Sequence, residues 1–223
     1  VAGWHAVPSK QELSHVKLYG TGYSPYVRKV LVALAEKGES AEHIPLFFHD
    51  PDPAFQAASP VGKIPALDDD GFLLADSSAI LHYIEAKHPS PALVPTEAKA
   101  RGRAIWFDKF GDTEMFPVII VPFVERVVKP NMQGKPGDEA AVATALNEKF
   151  PKIYDYLEAQ IDGPYLVGDA FGIADISVTT CFHNLHLAGE KVDAGRWPKL
   201  ARYVAATLER PSFVTALAAR TSP

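Results

Sequence analysis

A change of period partway along the chain constrains its fold most. Every run with strand character lies before residue 76, and everything beyond the proline-rich stretch Ser90-Pro91-Ala92-Leu93-Val94-Pro95-Thr96 has helical spacing or none. In the first part, short apolar runs alternate with helical ones. Val16-Lys17-Leu18-Tyr19 reads as a strand, Ser24 to Lys37 as a helix, and His43-Ile44-Pro45-Leu46-Phe47 as a strand that Pro45 places near a sheet edge. Phe48 to Pro53 is a loop by its Pro and Asp content. Ser59 to Leu67 is a compact apolar run with a proline inside it, and Asp70-Gly71 then turns the chain into Phe72 to Ala75 as a hairpin. Asp76-Ser77-Ser78 opens a second capped helix, whose apolar Ile80, Leu81 and Ile84 run to a stop at His88-Pro89. This order specifies a small α/β layer domain over residues 16–89, behind an unassigned polar lead-in at residues 1–15. After a linker at residues 90–97, residues 98–223 read as all-helical. The helical stretches are Glu97 to Glu125, which Pro117 and Pro122 are expected to bend or break, then Ala140 to Ile161, Ile173 to Leu187 and Trp197 to Glu209.

Composition removes several classes of function. With 223 residues there is room for one large domain or two small ones, and 47% hydrophobic with 22% charged residues is an ordinary soluble globular balance. A net charge of −5 speaks against a nucleic-acid partner, and no apolar window is long enough to span a bilayer. Residues 1–15 lack the charged start and apolar core of a secretory signal. The single cysteine, Cys181, can form neither an internal disulfide nor a CxxC pair, which fits a reducing, cytoplasmic compartment; on its apolar helix face it reads as a core residue. His183 and His186 are three apart on a helix, but no carboxylate completes a ligand motif, so no metal is expected. No serine sits in a GxSxG elbow, and the glycines form no phosphate cradle.

Two helix starts carry the chemistry that remains. A helix start exposes unpaired N–H groups and about half a positive charge, so it favours an anion or a polarised hydroxyl. Ser24 is an N-cap residue type and Pro25 suits the first helical position. Val27, Val30, Leu31 and Leu34 then form one apolar face, with Arg28, Lys29, Glu36 and Lys37 assigned to the opposite one and Gly38 as the stop. Taken alone, Ser24 caps a helix; its hydroxyl is also placed to donate to an anion at that start. Asp76-Ser77-Ser78 repeats the arrangement.

Four motifs in order resemble the cytosolic glutathione transferases of the serine type, the tau, phi and zeta classes. They are Leu18-Tyr19-Gly20 with Ser24-Pro25-Tyr26-Val27-Arg28-Lys29-Val30, then Lys63-Ile64-Pro65-Ala66-Leu67, Asp76-Ser77-Ser78-Ala79-Ile80, and Val167-Gly168-Asp169 through Phe171-Gly172-Ile173-Ala174-Asp175. The resemblance covers about Val16 to Pro211. It implies a thioredoxin-like N-terminal domain followed by an all-α C-terminal domain, with glutathione as co-substrate and addition of its thiolate to a small hydrophobic electrophile by a homodimer. Ser24 would activate the thiol, with Tyr19 and Tyr23 as alternatives. Ile64 and a cis Pro65 would hold the cysteinyl part of glutathione, Asp76, Ser77 and Ser78 its γ-glutamyl end, and Lys63 or His49 its glycyl carboxylate, with Asp50 also in the loosely matching stretch. Tyr23, Phe110, Met115 and Phe116 would wall the electrophile site, their alternative being interdomain core. Gly172 stands where the family has Ser or Thr, so only the Asp175 half of a capping box is expected, with Phe171 and Ile176 as its hydrophobic staple. A dehalogenase, isomerase or ether-cleaving enzyme on the same scaffold, and a non-catalytic binding or scaffold protein, are the competing readings.

Overall fold

The computed structural model describes residues 16–219, so the lead-in at residues 1–15 lies outside the described residues. Four strands, β1 (Val16–Tyr19), β2 (Glu42–Ile44), β3 (Ala66–Asp69) and β4 (Phe72–Ala75), form one sheet in the order β2-β1-β3-β4. β2 runs parallel to β1, while β3 is antiparallel to both β1 and β4. Three helices accompany the sheet: α1 (Pro25–Glu36), α2 (Pro53–Ala58) and α3 (Ser77–Lys87). Alternation along the strands divides the core in two. Leu18 and Leu67 pack with Val27, Val30 and Leu34 of α1 and Ile80 and Ile84 of α3; Tyr19 and Ala66 pack with Phe55 and Ala58 of α2. The layers are those of a thioredoxin-like domain. The hairpin turns through Asp70 and Gly71, both in the left-handed region at φ 53° and 90°.

Two details differ from expectation in this domain. β2 lies at the sheet edge as expected, but it ends at Ile44, ahead of Pro45, where a strand through Phe47 was expected. The Pro- and Asp-rich stretch also contains a helix start: Asp52 accepts from the Phe55 N–H at 2.8 Å and Pro53 takes the first turn of α2. Asp-Pro reads equally as a turn or as a cap, and only the apolar Phe55 and Ala58 behind it mark the helix.

Beyond residue 97 every regular element among the described residues is helical: α4 (Ala98–Phe110), α5 (Phe116–Phe123), α6 (Lys129–Met132), α7 (Glu139–Thr144), α8 (Phe150–Gln160), α9 (Ile173–Leu187), α10 (Pro198–Leu208) and α11 (Pro211–Leu217). α9 forms the axis, its Val178, Cys181, Phe182 and Leu185 packing with Phe107, Ile119, Leu157 and Leu200. Pro117 and Pro122 do not break the long segment. π-helical turns at Gly111–Met115, Val124–Val128 and Ala145–Lys149 each end two residues before a proline, at Pro117, Pro130 and Pro151. A widened turn moves the preceding carbonyls away from the pyrrolidine ring, so helical hydrogen bonding resumes past it. Nothing in the spacing announced α11, whose Phe213 and Ala216 seat against Val32 and Ala33 of α1.

The largest correction concerns α1. Arg28 and Lys29, assigned to a solvated face, are each 1% exposed, because that face lies against α9 and the turn after α4. Lys37 is also buried and pairs with Glu85 at 2.6 Å, while Glu36 holds Arg210 at 3.0 Å. Both sides of α1 are interior, which makes it the helix joining the two domains.

Candidate active site

Ser24 caps α1 with extended backbone (φ −74°, ψ 122°), its N–H donating to the Thr21 carbonyl at 3.0 Å. Its Oγ accepts from the Val27 N–H at 3.4 Å, a long bond, and among the described residues no acceptor takes its own proton. A half-exposed hydroxyl with a proton to give therefore stands at the positive end of α1. Gly20, at φ 138°, brings the end of β1 against the Ile64 turn; a Cβ there would lie 3.0 Å from that of Ile64. The Ile64–Pro65 bond is cis, and Pro65 is buried directly before β3. The start of α1 and the Ile64-Pro65 turn thus form one corner of the molecule.

Lys63 and His49 come together on an exposed rim beside this corner, since the His49 N–H donates to the Gly62 carbonyl at 2.7 Å. Asp50 is engaged elsewhere, accepting from the Asp52 N–H at 2.9 Å. Tyr19 is placed in the core under α2, where burial, with Asp68, Asp52 and Glu42 adding to it, pushes its phenol upward. Tyr23 is half-buried with its ring 5.7 Å from Phe123, and Tyr26 lies 4.7 Å from Phe116. Of the residues expected to wall an apolar cleft, Phe116 and Tyr23 are therefore partly exposed beside α1. Phe110 and Met115 are core instead, 8% and 0% exposed, because both flank the π-helical turn on its inward side. Phe123 and Tyr26 complete the aromatic group; both sat in helical runs, where an aromatic reads as ordinary core.

At the second helix start, Asp76 caps α3 from a left-handed position (φ 79°), accepting from the Ser78 and Ala79 N–H groups at 3.0 Å each. Ser77 is buried beside it. The Ser78 hydroxyl faces the helical domain: it donates to Asp108 at 2.7 Å and accepts from Lys109 at 2.8 Å. Asp108 and Asp112 grip Lys29 of α1 at 2.7 and 2.9 Å, and the Ser177 hydroxyl of α9 donates to Asp108. Burial pushes the Asp108 carboxyl up, but Lys29 and the serine hydroxyls outweigh it and hold it below the ordinary 3.8. One network centred on buried Lys29 and Asp108 therefore connects the start of α3 with the second turn of α1. Among the described residues no group of three His, Cys, Asp or Glu side chains could hold a metal ion.

The model of the glutathione S-transferase N-terminal domain matches residues 18–92, and that of the C-terminal domain residues 140–206. Glutathione S-transferase 3 of Zea mays is 35% identical over 170 residues, covering 73% of this chain and 75% of its own. The chain belongs to the glutathione S-transferase family. A glutathione S-transferase from Rhodospirillum rubrum F11 superposes with a TM-score of 0.83 at 29% identity, over 93% of this chain and 94% of that one. Glutathione S-transferase I from maize, solved with an atrazine glutathione conjugate, gives 0.81 at 25% identity over 91% and 96%. In this transferase the capping stretch has its own logic. Asp175 accepts from the Gly172 N–H at 3.0 Å, the Leu166 N–H at 2.9 Å and the Tyr203 hydroxyl at 2.8 Å. Gly172 is required by space, since a Cβ would stand 2.6 Å from the Leu93 carbonyl oxygen.

Proposed function

We propose that this transferase ionises glutathione with the Ser24 hydroxyl and adds the thiolate to a small hydrophobic electrophile. A free thiol near pKa ~8.5 is only a few per cent ionised at neutral pH, and lowering it by about two units takes roughly 2.7 kcal/mol of preferential thiolate stabilisation. A hydrogen bond from Ser24 to charged sulfur contributes ~1.5–3 kcal/mol and the start of α1 ~0.3–1, which together suffice. Ser24 keeps its proton, so no general base is needed beside it. The sulfur then forms a bond to carbon with its own electron pair; in a substitution the leaving group departs with the bonding pair, and in an addition the π pair moves to the far atom of the double bond, which takes up a proton from water.

The rest of the peptide fits the surrounding groups. The Ile64 backbone would pair with the cysteinyl unit, Asp76 would face the γ-glutamyl ammonium, and Ser77 would take the adjacent carboxylate. Lys63 and His49 are the cations for the glycyl end, with Asp50 set aside because its carboxylate is engaged in the turn. We assign Ser78 to the interdomain network in place of direct contact. Tyr23, Tyr26, Phe116 and Phe123 supply the apolar wall. The family reading also carries a homodimer in a reducing, cytoplasmic compartment; exposed Phe48 and Phe72 on the sheet domain give a second subunit apolar surface to cover.

One observation carries this reading: Ser24 at the α1 start, with a proton that no described neighbour takes, beside Ile64-Pro65. The test is binding and turnover with glutathione and a generic aryl halide. Saturable binding with thioether formation is expected; a protein that neither binds glutathione nor consumes the halide is a scaffold, and the reading fails.

A further inference from the structure

Beneath the Ser24 turn lies a cation that the proposed mechanism leaves unused. Arg28 is one helical turn into α1, fully buried, with no carboxylate bound to it among the described residues. One terminal nitrogen donates to the Gly22 carbonyl at 2.6 Å; the other donates to the Thr180 carbonyl at 3.1 Å and to the Asn184 side-chain oxygen. Asn184, itself buried on α9, donates its amide to the Tyr23 carbonyl at 2.9 Å. The two carbonyls immediately ahead of Ser24 are thus held by one guanidinium and one carboxamide, and the Arg28 Nε is left with no partner among the described residues.

A buried charge is ordinarily paired or neutralised, because desolvation costs several kcal/mol. Arg28 is met only by neutral dipoles. Burial brings it down to about 9, which still leaves it charged at neutral pH. The titratable groups around it do not cancel that charge. Cys181 on α9 is pushed up to about 12 by burial, and His183, also on α9, is brought down to about 4 by burial with Arg28 and His186 adding to it. His186 is lowered as well, and Lys29 on α1 is already matched by Asp108 and Asp112. An uncompensated positive charge therefore lies under the turn that presents the thiol donor. Arg28 donates from two nitrogens to three acceptors, two of them on α9, so it ties the domains and at the same time leaves its charge there without a counter-ion among the described residues.

Building on the role assigned to Ser24, we propose that Arg28 is a positioning residue. With Asn184 it sets the Gly22-Tyr23-Ser24 turn from the helical domain, and its unpaired charge adds to the field that holds the glutathione sulfur ionised.

The test compares wild type, Arg28→Lys, Arg28→Met and Asn184→Asp for glutathione affinity, ultraviolet thiolate absorbance against pH, and thermal unfolding. Arg28→Met is expected to lower the thiolate fraction of bound glutathione about tenfold at a fixed mildly acidic pH, the effect of one buried charge at short range, while affinity changes less than ~threefold. Arg28→Lys, which keeps the charge, should recover most of that loss. A folded Arg28→Met protein whose bound thiol titrates as in wild type overturns the proposal, because a purely structural tie would move unfolding and leave the titration alone. If Arg28→Met does not fold, Asn184→Asp decides, since its carboxylate keeps the clasp on Arg28 and cancels the charge while giving up the amide donor to the Tyr23 carbonyl, so that both parts of the proposed role are removed together. It should shift the titration in the same direction, and no shift overturns the proposal. A wild type that binds glutathione without lowering its thiol pKa removes the Ser24 reading instead and takes this one with it; a lowered wild-type value that Arg28→Met leaves unchanged defeats this proposal alone.

Discussion

The three candidate thiol donors at the end of β1, Tyr19, Tyr23 and Ser24, differ in what surrounds them. Tyr19 is enclosed beneath α2, Tyr23 leans on Phe123 with its carbonyl tied to Asn184, and Ser24 has a proton to give. Tyr19→Phe and Tyr23→Phe are therefore expected to leave the titration of bound glutathione within a few tenths of a unit of wild type; thiolate absorbance checks this, and a shift near one unit in either would move the donor role. Lys29 is the other decisive residue. Lys29→Met would leave Asp108 and Asp112 in the domain interface without their buried cation, and loss of about 3–5 kcal/mol in denaturant unfolding is expected. Ser24 was legible in the sequence because a cap residue followed by proline is a local signal. Arg28 and Lys29 were not, since their partners in the second domain lie 79 to 156 residues away and a charge opposite an apolar helix stripe looks solvated until that domain covers it.

Elements whose signals are local were readable. The caps of α1, α3 and α9, the Asp70-Gly71 hairpin and the span of α9 follow from residues within a turn of each other. The long helical segment was misjudged at its prolines, since Pro117 follows a widened turn and Pro122 is carried inside α5 without a break. Here π-helical turns absorb Pro117, Pro130 and Pro151. The glycine at the head of α9 carries the opposite lesson. Gly172→Ser would install the side chain that a full capping box requires, yet it is expected to destabilise by about 1–3 kcal/mol, since its Cβ would meet the Leu93 carbonyl. Thermal unfolding checks the sign; a more stable Gly172→Ser protein would show that the linker yields to the new side chain.

Across the whole molecule, the two domains share α1, and the charges between them respond to pH. The folded-state value of Asp108 lies below its ordinary 3.8, so the stability it contributes is complete above that value and is lost as pH falls through the lower, folded-state one. Unfolding temperature should accordingly hold from neutrality to about pH 4 and then fall. Asp108→Asn should flatten that acid limb, and an unchanged slope would place the acid sensitivity elsewhere. The central claim is tested most directly by titrating the thiol of bound glutathione, through its ultraviolet absorbance, in wild type and in Ser24→Ala. The account predicts that the variant still binds glutathione and that its thiol pKa rises by about 1–2 units toward the solution value. A variant that binds glutathione and ionises it as readily as wild type would contradict it.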